Sequence, residues 1–578
     1  MKIKASDYIA KFLKTQGVKF IFEMSGGMIT QILDSIHQEG GIDIVSMHHE
    51  QSAAFAVDAY GRCTGNVAVG MATSGPGATN LITGIASCYF DSSPGLFITG
   101  QVNTHEQKGD RGIRQLGFQE TDIVSMAQII TKKSYAITSA DQIEPTLKEA
   151  YEIAISDRPG PVLIDIPMNL QRAEIEVGQI GKIERKKIEA SVDNGIFDVL
   201  LDAIMQAKKP LILAGGGIHG AGASEAFLRL VDKLQVPIVT SLLGVDTIDF
   251  NHPLRVGFIG SYGNRWANIA LGHCDLLIVV GSRLDIRQTG ADVESFRKNK
   301  KIFHVDCDAS EINNRVKSCV PIVMDAADFI AEMLQILGDK ALTLKKSWLD
   351  EILQQKKEWP DSNELRNITG INPNQFMHSL SQNSQNSQKA KGYVVDVGNH
   401  QMWSAQSLEI NANQFFITSG GMGAMGFALP AAIGASLAHN KEPVIVIAGD
   451  GCFQLNIQEL QTIVRNNIPL KMVVINNNCL GMIRQFQDSY FNGRYLSTYW
   501  GYSAPNFEAV AKAYGIPAKT ISTPDEIGSN LEWFWECEGA TLLQVMIDMR
   551  ANAYPKIAFG HPITEMEPMI APVAMEAT

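Results

Sequence analysis

Short runs of consecutive apolar residues recur along the chain, and segments of helical character separate them. In the first third these runs include Val67–Ala72, Leu96–Thr99 and Pro161–Pro167; Ile42–Met47 is a further candidate strand. The middle third carries Pro210–Ala214, Leu276–Val280 and Ile302–Asp306, and the last third Tyr393–Val397, Val444–Ala448 and Lys471–Ile475. Strands covered on both faces of a parallel sheet read as unbroken apolar runs, and their alternation with helices implies crossover connections. The pattern predicts an α/β protein with three doubly wound parallel-sheet domains, over 1–175, 190–345 and 365–560. The charged stretch Ile183–Lys187 reads as an exposed linker, and the polar tract Ser381–Gln388 as a surface loop. The first helix is expected to be capped by Ser6.

Length agrees with three domains, because 578 residues are too many for one hydrophobic core. A net charge of −12 disfavours a nucleic-acid partner, whose backbone would repel it. No apolar run approaches the roughly eighteen residues a membrane span needs, and the first residues lack the apolar core of a secretion signal. The eight cysteines are scattered, without a C-x-x-C pair, as reduced core thiols are. A cytoplasmic location is therefore expected.

Chemistry concentrates near the end of the chain. Gly449-Asp450-Gly451 closes one apolar run and Asn476-Asn477 closes the next, 29 residues on when counted from Gly449 through Asn477. At the carboxyl edge of a parallel sheet the glycines let backbone amides reach phosphate oxygens, and an acid and an amide oxygen there suit Mg²⁺. A competing reading uses Gly421-Met422-Gly423-Ala424-Met425-Gly426 with Asp450, 24 residues past Gly426, as a nicotinamide dinucleotide fingerprint. That alternative is an NAD-dependent oxidoreductase.

A second stretch decides between these readings. His49-Glu50-Gln51-Ser52-Ala53-Ala54, Thr73-Ser74-Gly75-Pro76-Gly77-Ala78-Thr79-Asn80 and the region Gly449–Met482 together resemble the thiamine diphosphate (ThDP) enzymes. The rest of the chain, down to Tyr554–Gly560, is similar to acetohydroxyacid (acetolactate) synthase large subunits. The resemblance implies that a carboxyl group, Glu50, hydrogen-bonds the coenzyme's N1′ and drives the tautomer that removes its own C2 proton. It places Pro76, Gly77, Asn80, Gly423, Met425, Gly449, Asp450, Gly451, Asn477, Leu480, Gly481 and Met482 around ThDP, with Met425 propping the bent cofactor. It makes Asp450, Asn477 and the main-chain carbonyl of Cys479 the Mg²⁺ ligands. His48 stands where the family usually has Arg.

The resemblance also implies FAD in the middle domain, held by Gly215, Gly216, Gly217, Arg283, Asp285, Asp306 and Asp325. The family's Met-His is replaced there by Phe258-Ile259. Phe118, Gln119, Lys132, Arg287 and Phe486 match substrate-pocket positions, with Gln119 near the reacting atoms and Arg287 on the acceptor's carboxylate. Phe486 replaces a Trp that favours 2-ketobutyrate, and Ile286 an Asp. Lys108–Gly117 is longer and more charged than the family's loop, and resembles that of relatives that extend keto-sugar nucleotides. The expected activity is decarboxylation of pyruvate and transfer of the two-carbon unit to an acceptor carbonyl, a second pyruvate or a keto-sugar nucleotide. The expected assembly is a homodimer or homotetramer with active sites at the subunit interface, and a small regulatory subunit is a further candidate partner.

Overall fold

Eighteen strands form three six-stranded parallel sheets flanked by helices. The computed structural model describes residues 2–185, 192, 193, 195–382, 390–411 and 413–574. Of the expected linker Ile183–Lys187, residues 186 and 187 lie outside the described residues, as do residues 383–388 of the polar tract. The first sheet comprises β1 Phe20–Met24, β2 Asp43–Ser46, β3 Ala68–Ala72, β4 Gly95–Gln101, β5 Lys133–Ala136 and β6 Pro161–Pro167, in the order β2-β1-β3-β4-β6-β5. The second comprises β7 Pro210–Ala214, β8 Ile238–Thr240, β9 Arg255–Phe258, β10 Leu276–Val280, β11 Lys301–Asp306 and β12 Val320–Val323, ordered β9-β8-β7-β10-β11-β12. The third comprises β13 Gly392–Val395, β14 Phe415–Thr418, β15 Val444–Gly449, β16 Leu470–Asn476, β17 Ala518–Ile521 and β18 Thr541–Met546. Its order, β14-β13-β15-β16-β18-β17, repeats the first sheet's connectivity, and the middle sheet alone is wound in the Rossmann order.

The predicted apolar runs form the central strands, which are buried along their length as two-sided packing requires. The Ser6 cap is not formed. The chain enters the helix Ala5–Thr15 from the short strand Lys2–Lys4, which pairs with Glu174–Glu176, so Ser6 falls inside the first turn. There it is buried and accepts a hydrogen bond from the Ser35 hydroxyl at 2.8 Å. Among the described residues no helix is long and apolar enough to cross a membrane.

The chain is organised as two compact units. One consists of residues 1–187, 419–442 and 455–470; the other of 188–418, 443–454 and 471–578. The first unit is built around the helix Glu50–Thr64, most of whose side chains are buried. Two glycines allow that burial. A Cβ on Gly84 would lie 2.2 Å from Ala54 Cβ, and one on Gly434, in the helix Ala428–Ala438, 2.1 Å from the Ala56 carbonyl oxygen. Phe55 packs edge-on against Phe427 at 5.3 Å beside this contact. In the second unit the middle and last sheets are joined by the buried Arg265–Glu364 pair, two bonds at 2.7 and 2.8 Å, and by Gln406, whose amide donates to the Tyr262 and Tyr554 carbonyls.

Replacing Gly434 by Val should force the helix Ala428–Ala438 away from the Glu50 helix. Overpacking of this kind costs about 1–3 kcal/mol. A lower denaturant midpoint for the cofactor-free protein is expected; an unchanged midpoint would mean that the helices slide past each other freely.

Candidate active site

In the first unit, β2 ends just before the turn that delivers Glu50. His49 caps the helix, its ring Nδ1 accepting from the Gln51 amide at 3.0 Å, which makes Glu50 the first helical residue. Its carboxyl group is buried, and Oε2 accepts from the Asn80 side-chain amide at 3.0 Å. Asn80 belongs to the short helix Pro76–Asn80 at the end of β3. A Cβ on Gly77 would sit 3.3 Å from Glu50 Oε1, so glycine leaves that face of the acid open. Next to it, Gly75 turns at φ +65 against Gln119, whose own φ is +66. The structure therefore gathers Glu50, Pro76, Gly77, Asn80 and Gln119 at one sheet edge.

His48 acts here through its backbone. Its N–H donates to the fully buried Glu459 at 3.0 Å, and its ring Nδ1 meets the Thr462 hydroxyl at 2.9 Å. The glycine-rich loop is held in the same unit, since the Asp91 carboxylate accepts from the Gly420 and Gly421 amides at 2.9 and 2.7 Å and from Arg62 at 2.9 Å. Asn456 ties the Gly426 carbonyl, at 2.8 Å, to Ser52 on the Glu50 helix. Met425 stands out of this loop, 36% exposed.

The Gln119 turn has its own anchor. Gln101 donates to the Thr121 carbonyl at 2.7 Å and to the buried Asp165 at 2.9 Å, and Thr99 donates to the same acid at 2.6 Å. Phe118 is 80% exposed beside it. Lys132 is not part of this arrangement. It precedes β5 and so lies at the amino edge of the sheet, where its ammonium binds the Ile153 and Ser156 carbonyls that end the helix Ile143–Ile155. A lysine at a helix C-terminus is satisfied there.

In the second unit, Asp450 follows β15 and Asn477 follows β16, the adjacent strand. Both are buried. Burial pushes the Asp450 carboxyl up to about 6, against the Tyr502 hydroxyl at 3.0 Å and the backbone amides of Asp450, Gly451 and Asn477. The Asn477 Oδ1 accepts from the Cys479 amide at 3.2 Å, closing the turn towards Leu480, Gly481 and Met482.

Asn399 and His400, past the end of neighbouring β13, were not predicted. The His400 ring is buried, accepts from the Gly449 amide at 3.2 Å and is held neutral, its burial lowering it to about 3. A Cβ on Gly449 would meet that ring at 2.9 Å, and one on Gly481 would meet the Asn477 and Asn399 amides at 2.6 and 2.9 Å. The signal was Gly398-Asn399-His400 directly after an apolar run. Tyr502 left no local signal.

These residues fit a diphosphate and a hard divalent cation. The set contains one carboxylate, amide oxygens and glycines that only a small neighbour tolerates, and the buried Asn399 Oδ1 has no partner. The dinucleotide alternative fails on topology. The glycine-rich loop follows β14, an edge strand, and β13 lies between β14 and the strand of Asp450. A dinucleotide fold needs those two strands to be neighbours.

In the middle domain Gly215 and Gly217 are pressed against Gly281, where Cβ atoms would come within 2.1 and 2.7 Å of its backbone, and Gly216 faces Leu243 at 3.0 Å. Asp285 caps the helix Ile286–Thr289 and Asp325 the helix Ala326–Leu337, while Asp306 accepts from the Asp308 amide at 2.9 Å. Arg283 and Arg287 have no ion-pair partner among the described residues. Arg287 lies near Tyr262, and Tyr262 near Tyr490, whose ring is 4.7 Å from Phe486.

The fold and these half-sites define a cofactor-dependent α/β enzyme with its chemistry at strand carboxyl ends. Family descriptions agree. "Thiamine pyrophosphate enzyme, N-terminal TPP binding domain" matches residues 3–126, the central domain 197–333 and the C-terminal TPP binding domain 396–545. The chain is 37% identical to the probable acetolactate synthase large subunit of Methanocaldococcus jannaschii, over 99% of this chain and 96% of that one. It is 34% identical to the large subunit from Haemophilus influenzae, over 98% of each, and 37% identical to that of Lactococcus lactis, over 97% and 95%. The chain belongs to the thiamine pyrophosphate enzyme family.

Asp165 gives a pH test of the Gln119 anchor. Burial raises its carboxyl to about 7 from 3.8. A raised acid stabilises the fold fully below its unfolded value, and that contribution is lost as pH rises through the folded one. The melting temperature should therefore fall, relative to the Asp165→Asn variant, as pH is raised from 5 to 8 on either side of about 7. Parallel curves would show that Asp165 does not titrate in that range.

Proposed function

We propose that this chain is the catalytic subunit of an acetolactate synthase-type carboligase that decarboxylates pyruvate and transfers the two-carbon unit to an acceptor carbonyl, with ThDP and Mg²⁺. The observation that carries the reading is the buried Glu50 carboxyl, oriented by Asn80 beside the Gly77 turn. When bound, ThDP supplies the electron sink that loss of CO₂ requires. Glu50 would hold a proton at the pyrimidine N1′, in a site from which water is largely excluded. Asp450, Asn477 and the Cys479 carbonyl would hold Mg²⁺, and Gly449, Gly451, Leu480, Gly481 and Met482 would line the diphosphate. Met425 and Gly423 would support the pyrimidine, with Gln119 beside the reacting atoms.

For the acceptor, the unpaired Arg287 guanidinium would take a carboxylate and Phe486 would pack on the alkyl group. Loss of the family's Trp removes one methyl-sized contact, worth about 1–3 kcal/mol, so 2-ketobutyrate should gain little or no preference over pyruvate. A keto-sugar nucleotide is the second reading. It is supported by exposed Arg111 and Arg114, on a loop whose Lys108, Leu116 and Gly117 amides bind the Glu120 carboxylate at 2.6, 2.8 and 3.4 Å. Supporting FAD are the middle sheet's Rossmann order and the unpaired Arg283; the glycine trio, closed by its own backbone, supports it less. Glu50 of one chain and the diphosphate residues of another would complete each site in a homodimer or homotetramer, and a small regulatory subunit is proposed from the relatives' naming as large subunits.

Glu50→Gln should abolish deuterium exchange at the coenzyme C2 while ThDP stays bound; undiminished exchange would remove Glu50 from the mechanism. Product analysis by mass spectrometry, with pyruvate alone and then with keto-sugar nucleotides, should give 2-acetolactate in the first case. Product only with the sugar would replace the first reading by the second. Visible flavin absorbance in the purified protein tests FAD.

A further inference from the structure

The contact between Tyr502 and Asp450 has no part in the reading above. Tyr502 reaches the acid from outside the helix–sheet framework, on the segment 491–506 that follows the helix Gly481–Tyr490. That segment is fastened down at several points. The Leu480 amide donates to the Thr498 carbonyl at 2.9 Å, the Thr498 hydroxyl donates to Gln487, and the Gln487 side-chain amide donates to the Leu496 carbonyl at 3.0 Å. The Tyr502 amide donates to the Tyr499 carbonyl at 3.2 Å. Leu480 belongs to the turn after Asn477 and Cys479. One strap is therefore pinned to the turn that carries two of the proposed cation ligands, and it delivers a phenol to the third.

The phenol is half-buried, and a phenol carries its proton at neutral pH. A protonated phenol can only donate to a carboxylate. Its bond to Asp450 Oδ2, at 3.0 Å, fixes the plane of the acid and leaves the remaining lone pairs for another partner. Resting on the assignment of Asp450 as a Mg²⁺ ligand, we propose that Tyr502 is the positioning residue of the cation site: its hydroxyl holds Asp450 Oδ2 in the orientation that presents the carboxylate to Mg²⁺. Hydrogen-bond partners of ligating carboxylates tune metal affinity in this way. Thr498, through Leu480, keeps the strap in register with the turn.

The test is a Mg²⁺ titration of the cofactor-free chain at saturating ThDP, followed by intrinsic tryptophan fluorescence and calorimetry, for the wild type and Tyr502→Phe. The variant keeps the ring and loses the donor. The half-saturating Mg²⁺ concentration should rise about tenfold, with the ThDP bound at saturating Mg²⁺ and the melting temperature of the cofactor-free protein unchanged. Equal Mg²⁺ requirements would overturn the proposal. A lowered melting temperature with an unchanged Mg²⁺ requirement would make Tyr502 purely structural and would overturn it too. Wild-type ThDP binding that ignores Mg²⁺ altogether would instead remove Asp450 as a ligand, and the inference with it.

Discussion

A parallel strand can present its last residues at only one edge of a sheet, and the chemistry of this chain depends on that constraint. Asn399 and His400, Asp450, and Asn477 follow three adjacent strands, β13, β15 and β16. Gln119 and the Asn80 turn follow β4 and β3 in the first sheet, and Glu50 follows β2. Residues more than 70 positions apart in sequence (Asn399 and Asn477) thus share one edge without any local motif linking them. The same constraint removes Lys132, which belongs to the start of a strand and is committed to a helix end.

Burial then sets the electrostatics of that edge. Asp450 is buried beside backbone amides and a phenol, and burial pushes its carboxyl up to about 6. His400 is buried and stripped of its positive charge. A neutral imidazole accepting from the Gly449 amide adds no fixed positive charge to the strand end. An arrangement of this kind favours a divalent ion that brings the missing charge, with its diphosphate partner, over a bare anion. The Arg62–Asp58–Asp91 group solves the opposite problem in the first unit, where a buried guanidinium is paired with two acids and their remaining lone pairs take serine hydroxyls and loop amides. That satisfaction holds the glycine-rich loop by its Gly420 and Gly421 amides.

Much of this was legible in the chain before any coordinates. The strands β6, β7 and β10 coincide with their apolar runs, as two-sided burial favours, with the hydrogen-bonded Asp165 the one acid inside β6. Asp450 stood out because it closes an apolar run between two glycines, whereas Glu50 follows a candidate strand, precedes a helix of small residues and was singled out by the family resemblance. What was hidden lacked periodicity. Tyr502 lies in an irregular segment whose path is set by side-chain to backbone bonds from Gln487 and Thr498. Asn399 and His400 begin the helix Asn399–Ser407, and Gly449 and Gly481 make room for them only in the folded chain. Ser6 failed as a cap because a tertiary partner, the short strand Glu174–Glu176, set where the helix begins.

Glycine shows most plainly why the two sources of information differ. Gly215–Gly217 and Gly449-Asp450-Gly451 read alike in one dimension, each a small-residue turn closing an apolar run. In three dimensions a Cβ on Gly215 or Gly217 collides with the main chain of Gly281, while a Cβ on Gly449 collides with the ring of His400. The first collision is between two backbones and is fully explained by packing of β7 against β10. The second is with a polar ring that bonds the Gly449 amide and the backbone of Asp396, and packing alone gives no reason to keep a histidine there. A glycine that makes way for polar side chains marks a place where the fold has given up apolar contact, and here it does so at the carboxyl edge that carries Asp450, Asn477 and the Tyr502 hydroxyl.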